Sequence, residues 1–167
     1  GGRRGALGGA RLRPPSHGEA RERPAAGARV IALDVGDARI GVAVGTIGSA
    51  LAFGRGALER RGTKQDVPAV LALAAAEGAD AIVVGLPLRL DGTSSEQTER
   101  VKRFADALAA AGARVVLEDE RLTTRMAQRQ VGASELPRTR RQEKGRLDEA
   151  AATLILESYL RRVGEER

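Results

Sequence analysis

The acids in this chain sit where they could do chemistry. Asp34 follows an apolar run, Val30 to Leu33, and is itself followed by a Gly36-Asp37 turn. A second stretch that reads as a buried strand, Arg114 to Leu117, ends in Glu118-Asp119-Glu120, and Asp148 stands at the start of an amphipathic segment near the C-terminus. There is no cysteine, and the single histidine, His17, lies in a low-complexity stretch. Thiolate metal sites, cysteine nucleophiles and disulfides are therefore excluded, and histidine triads and zinc sites have almost no material. Three converging carboxylates are a poor acid–base system but suit a hard divalent cation. Mg²⁺ takes oxygen ligands in octahedral geometry and keeps several waters, so two or three carboxylates and substrate phosphate oxygens complete its shell. Two such ions about 4 Å apart can activate a water and stabilise the leaving oxygen of a phosphodiester. Clustered acids with no cation between them repel one another. The chemistry implied is phosphodiester hydrolysis. For Asp34 alone, a turn residue accepting hydrogen bonds from its own loop is the competing reading.

The elements that must position these acids follow from periodicity. Arg29 to Thr46 reads as a tight hairpin with Asp34 at the tip of its buried first strand; Gly36 and Gly41 allow close approach of a phosphate or another backbone. Leu51 to Leu58 supplies a third, antiparallel strand. Thr63 to Glu77 is a helix, opened by a Thr63/Asp66 capping box, with Val67, Val70, Leu71 and Ala74 on one face and Gly78 as its stop. Ala81 to Val84 is a strand covered on both faces. After the Asp91-Gly92 loop, Ser94 with Gln97 opens a second helix carrying the stripe Val101, Phe104, Ala105 and Leu108, ended by Gly112. Arg114 to Leu117 is the fifth strand, Arg121 to Thr124 a short helix, Gly132 to Arg146 a long basic loop, and Leu147 to Val163 the last helix. That helix turns Leu147, Ala150, Ala151, Leu154 and Ile155 inward, with Asp148 in its first turn. Right-handed crossovers then give a mixed α/β sheet ordered 3-2-1-4-5 and flanked by helices. Asp34 and the Asp119/Glu120 pair fall at the carboxyl ends of parallel strands, where open α/β sheets bind ligands, and Asp148 joins them if the last helix packs on the first strand.

The chain has 167 residues and a formal charge of +6, and one domain is expected. Residues 1–28, rich in Gly, Ala, Arg and Pro, read as a disordered tail, 29–163 as the folded domain and 164–167 as a short tail. Residues 1–29 hold a net +5, so the high isoelectric point is mostly a property of the tail. Within the remainder, Arg121 to Arg146 carries a local +6, which fits a face for an anionic partner or else a solvated basic loop. Arg138, Arg140, Arg141, Lys144 and Arg146 suit phosphate contacts, which give affinity without reading bases. Only Phe53, Phe104 and Tyr159 are aromatic, so there is no platform for stacking single-stranded bases; recognition by shape or backbone is expected. No apolar run approaches the roughly 18 residues of a bilayer span.

Four stretches in order, I-A-L-D-V-G-D-A-R-I-G-V-A-V, I-V-V-G-L-P-L with D-G-T, D-E-R-L-T-T and G-R-L-D-E-A-A-A-T-L-I-L-E-S-Y-L, resemble the YqgF family, also called RuvX. Its members are pre-16S rRNA nucleases and Holliday-junction-resolvase-like proteins of the RNase H-like superfamily. The resemblance spans Val30 to about Leu160. It implies an RNase H-like fold and a bacterial cytoplasmic hydrolase, dependent on Mg²⁺ or Mn²⁺, that processes the 5′ end of the small-subunit ribosomal RNA precursor. By motif, Asp34 matches the first-strand acid, Glu120 the acid of D-E-R and Asp148 the acid opening the last helix. Arg121 then faces a phosphate, where its planar fork can bind bidentately, or pairs with Asp119; Thr124 caps the short helix.

Three departures stand out. In the related resolvase proper a second carboxylate ends the fourth strand, whereas here Gly85 occupies that place and the D-E-R acid must substitute. Gly45-Thr46 stands where relatives commonly have Ser-Asp, and Ser95 replaces a usual Gly in the D-G-T loop. Structured nucleic acid is the expected partner, with precursor rRNA favoured, branched DNA open, ribosomal particles a further partner and either a monomer or a homodimer compatible. Two other classes compete with the nuclease: an actin-like phosphotransferase, disfavoured by a single D-x-G and too little chain for two lobes, and a catalytically silent RNA-binding assembly factor.

Overall fold

The computed structural model describes residues 24–123 and 141–166. The expected tail over 1–28 lies outside these up to residue 23. Ahead of Arg29, Gly27 N–H donates to the Ile47 carbonyl and Ile47 N–H to the Ala28 carbonyl, both at 2.8 Å. These bonds join residues 27–28 to the loop after the second strand.

Five strands form one sheet in the order β3-β2-β1-β4-β5, as the crossover rule requires. β1 (Arg29–Val35), β2 (Arg39–Thr46) and β3 (Ala52–Glu59) are an antiparallel meander, while β4 (Ala79–Leu86) and β5 (Val115–Asp119) run parallel to β1. Strand alternation divides the sheet into two layers. On one face Ile31, Leu33, Val42, Val44, Ile82 and Val84 pack with Val70, Phe104 and Leu108 of α1 (Thr63–Ala76) and α2 (Glu96–Ala110). On the other, Val30, Ala32, Ala43, Ala81 and Val83 pack with Ala152, Ile155, Leu156, Tyr159 and Leu160 of α3 (Arg141–Glu165). Each fully buried aliphatic side chain contributes about 1.5–3 kcal/mol, so both faces of β1 help hold the sheet between its helices. Among the described residues no helix is long and apolar enough to cross a membrane.

Gly78 and Gly112, at φ 64° and 102°, end α1 and α2 in the left-handed conformation that a Cβ disfavours. The helix starts differ from expectation. Gly62 caps α1, and Thr63 already lies inside it; Asp66 instead reaches back to accept the N–H groups of Arg61 and Gly62 at 3.0 and 3.2 Å. The capping box of α2 is Ser95 with Thr98, one residue beyond the expected pair. α3 begins at Arg141 rather than Leu147, which places Asp148 two turns inside the helix rather than in its first turn. Its inward face is also shifted: Leu147 and Ala150 are exposed, while Ala151, Ala152, Ile155, Leu156, Tyr159 and Leu160 are buried. Pattern reading missed this because α3 is apolar over its second half only, where it crosses the sheet.

Candidate active site

Asp34, the second-last residue of β1, continues the series Val30, Ala32 on the α3 face and is 1% exposed. On β2 its partner is Gly41. On β4, the residue following the last paired couple Leu33 and Val84 is Gly85. A carboxylate is therefore flanked on both neighbouring strands by residues with no side chain. Both vacant positions are filled from elsewhere in the fold. A Cβ built on Gly41 would fall on the main-chain carbonyl of Asp148; one built on Gly85 would stand 3.0 Å from Glu120 Oε1 and 3.1 Å from Ile155 Cγ1. The missing side chains leave space that the backbone of Asp148 takes on one neighbouring strand and the carboxylate of Glu120 on the other.

The three successive acids at the end of β5 have three destinations. Glu118, 1% exposed, pairs with α3: Arg162 Nη2 donates to Oε2 at 2.6 Å and Ser158 Oγ to Oε1 at 3.2 Å, which also raises the Arg162 guanidinium above its ordinary pKa. Asp119 caps the 3₁₀ turn Glu120–Leu122 and holds Arg121, whose Nε lies 3.1 and 3.0 Å from the two carboxylate oxygens and whose Nη2 lies 2.6 Å from Oδ2. Burial pushes the Asp119 carboxyl up, but the guanidinium and N–H of Arg121 outweigh it and hold the group below the usual carboxylate range. Glu120, 2% exposed, is the one that reaches over Gly85. Its turn is closed by Thr123, whose N–H and Oγ1 donate to the Glu120 carbonyl at 3.0 and 2.7 Å. Arg121 also lies against Gly92 of the D-G-T loop and donates to the Leu90 carbonyl at 3.4 Å, so its ion pair ties that loop to the end of β5.

Two positioning contacts around Asp148 were not visible in the sequence. Arg39, at the start of β2, donates from Nε to Asp148 Oδ2 at 3.0 Å, with both side chains largely covered. Glu149 fits a slot on β3, where a Cβ on Gly54 would overlap its carboxylate and the Gly56 N–H donates to Oε2. The G-R-G of β3 and the acid beside Asp148 are a signal that could have been joined; for Arg39 no local pattern exists, its partner being 109 residues away.

The donor set is all hard oxygen, drawn from the ends of β1 and β5 and from α3, and in chemistry it fits a divalent cation. Among the described residues no three acids already stand together at ligating distance; Asp148 is turned to Arg39. Of the basic residues singled out above, Arg138 and Arg140 lie outside the described residues, as does Thr124. Arg141 begins α3 instead of lying in a loop, and Lys144 and Arg146 are exposed on its early turns.

Comparison with known proteins agrees with this architecture. The profile of the family described as "RuvX: Holliday junction resolvase" matches residues 28–162. The chain is 49% identical over 134 residues to the Thermus thermophilus protein named "Putative pre-16S rRNA nuclease", covering 80% of this chain and 98% of that one. It is 42% identical over 139 residues to "Ribonuclease YqgF" of Deinococcus radiodurans, covering 83% and 92%. Among solved structures it is similar to T. thermophilus RuvC in complex with a Holliday junction substrate, at TM-score 0.51 and 18% identity over 81% of this chain and 96% of that one, which shows an RNase H-like fold. With the profile covering most of the sequence and relatives matched over nearly their full length, the chain belongs to the RuvX family.

Proposed function

We propose that this chain is a divalent-metal-dependent nuclease that hydrolyses phosphodiester bonds in precursor 16S rRNA, trimming its 5′ end in the cytoplasm during ribosome biogenesis. The observation that carries the reading is the glycine pair beside Asp34, which makes room for Glu120 on one side and for the Asp148 main chain on the other.

Asp34, Glu120 and Asp148 would hold Mg²⁺ or Mn²⁺. When bound, such an ion would lower the pKa of a water nucleophile and offset charge on the leaving oxygen. The chain's own residues do the positioning. Asp34 is fixed by strand pairing, Glu120 by its 3₁₀ turn and Asp148 by the Glu149 slot. Arg39 offers Asp148 a cationic partner that a phosphate oxygen could also use, since a guanidinium binds either group through the same fork. Arg121, held bidentately by Asp119, is exposed to solvent. Lys144 and Arg146 are exposed for backbone phosphates. Names of relatives support precursor rRNA as substrate, and the family description makes a four-way DNA junction the competing one.

The test compares wild type with Asp34→Asn, Glu120→Gln and Asp148→Asn on a precursor 16S rRNA fragment and on a four-way junction, each in Mg²⁺, Mn²⁺ and EDTA. Wild type should cleave the RNA only with a divalent ion. Each variant should fold yet lose roughly a hundredfold or more, because each removes several kcal/mol of transition-state stabilisation. Junction cleavage with RNA left intact moves the substrate to branched DNA. RNA binding with no cleavage in either metal leaves a silent assembly factor, and full activity in any variant refutes the site.

A further inference from the structure

We propose that a second, separate cleft, on the sheet face opposite α3, is a phosphate-binding subsite that takes the nucleic-acid backbone as it leaves the acidic centre. This rests on the nuclease reading for its direction, though not for its chemistry. The cleft has a volume of about 430 Å³, within the roughly 300–1,000 Å³ range of small-ligand sites. Its walls are the β1–β2 turn at Gly36 and Asp37, the start of α1 and the first turns of α2. Val35 lines it while Asp34 faces the other way, so the end of β1 lies between the two sites.

The arginines of this cleft fall into two kinds. Arg60 is the floor. Its Nε donates to Asp66 Oδ2 at 2.8 Å, its Nη1 donates to the Gly36 carbonyl at 3.0 Å, and its guanidinium lies 5.0 Å from the centre of the Phe104 ring. A guanidinium so engaged holds the shape of the cleft and is not available to a ligand. Arg100 and Arg103, on one face of α2 at i and i+3, project from the wall. Arg100 has only a 3.5 Å pairing with Asp37, whose side chain is 79% exposed; such a pair is worth little in water and exchanges readily for a phosphate. Arg103 makes no ion pair among the described residues and lines the cleft beside Gln97, which adds a neutral donor. Two cations held above a rigid floor, facing a single solvated acid, suit a phosphodiester strand better than a folded structural role. No aromatic side chain lines the cleft, so contact to phosphate rather than stacking on bases is the chemistry available.

The experiment measures binding of a fluorescein-labelled RNA duplex with a single-stranded 5′ extension to the full chain, by anisotropy in EDTA across a salt series. The double variant Arg100→Ala/Arg103→Ala should bind roughly tenfold more weakly, and its slope of log K against log salt should shrink by about 1.4, the loss of two single-strand phosphate contacts. Arg114→Ala, which removes an exposed cation next to the start of β5 at the other end of the sheet, should match wild type in both. Cleavage is read separately in Mn²⁺: a wild-type protein that binds in EDTA but does not cleave in Mn²⁺ would defeat the nuclease reading and leave the cleft standing. Unchanged affinity and slope in the double variant overturns the proposal. An equal loss in Arg114→Ala does so too, since net charge would then explain the binding.

Discussion

Replacing Gly85 by alanine tests whether the seat of Glu120 depends on an absent side chain. A Cβ there stands 3.0 Å from Glu120 Oε1 and 3.1 Å from Ile155 Cγ1, with Ile155 Cδ1 closer still, where ordinary contact begins at 3.4 Å. Neither neighbour has free space, since Ile155 is 0% and Glu120 2% exposed. Inserting a methyl into such packing costs about 1–3 kcal/mol, a fall in melting temperature of roughly 3–12 °C for a domain of this size. Glu120 must retreat by a few tenths of an ångström or turn away. Misplacement of a catalytic group by about 1 Å can cost a hundredfold, so roughly a ten- to hundredfold loss of kcat is expected with KM little changed. The two effects separate in a second variant. Ile155→Val deletes Cδ1, costs about 0.5–1.5 kcal/mol alone, and removes the tighter of the two clashes. Gly85→Ala/Ile155→Val should therefore recover most of the stability of Gly85→Ala but little of its activity, because the contact with Glu120 Oε1 persists. Differential scanning calorimetry and single-turnover cleavage read the two quantities. A double variant regaining both together, or Gly85→Ala as active as wild type, would show that Glu120 does not act from its place over Gly85.

Gly41→Ala is expected to be harsher, because its Cβ meets the main-chain carbonyl of Asp148 and neither backbone can yield without lifting α3 from the sheet; a loss of roughly 3 kcal/mol or more in urea unfolding is expected, and a wild-type midpoint would contradict the close approach. Arg39→Ala removes a cation 3.0 Å from a proposed metal ligand, so the Mn²⁺ concentration that half-saturates the thermal shift should fall several-fold; an unchanged midpoint would show that Arg39 and the ion do not compete. For Asp66, burial raises the carboxyl, but the N–H of Arg61, the guanidinium of Arg60 and the N–H of Gly62 outweigh it and set the folded pKa below the ordinary value. Its stabilising contribution is therefore present above the unfolded pKa of about 3.9 and is lost as pH falls through the lower folded value. Asp66→Asn should destabilise at pH 7 and converge on wild type in strong acid, whereas a constant gap at every pH would mean that charge is not what Asp66 supplies.

What could be read from the sequence was whatever is local. Val30 to Asp34 shows its strand and its terminal acid within a few residues, and Gly78 and Gly112 mark helix ends by backbone conformation alone. Sheet order followed from handedness once the elements were known. Contacts closing over long separations were not legible: Arg39 meets Asp148 across 109 residues, Glu149 meets Gly56 across 93 and Arg162 meets Glu118 across 44. The start of α3 was misplaced because its first turns are basic and polar, with no apolar face to give a period. Among Glu118, Asp119 and Glu120, composition alone could not assign roles, because what distinguishes them is which partner each finds: an arginine on α3, an arginine two residues on, or the space above a glycine.

Gathering buried carboxylates is unfavourable by itself, so the fold must hold them by means other than their mutual contacts. Each acid at this end of the sheet is fixed by something independent of its carboxylate neighbours. Strand pairing places Asp34, the turn closed by Thr123 carries Glu120, and the Glu149 slot on β3 anchors the helix bearing Asp148. Glycines 41, 54 and 85 act as one device, replacing side chains on three strands by space into which α3 and the β5 turn advance. A cation arriving at such a site would meet Asp34 and Glu120 already placed by the fold, but would have to draw the Asp148 carboxylate away from Arg39. The same logic makes Arg39 more than a neutralising neighbour. By holding Asp148 through Oδ2 it keeps that side chain in one orientation, at the cost of a charge that a metal ion would have to oppose.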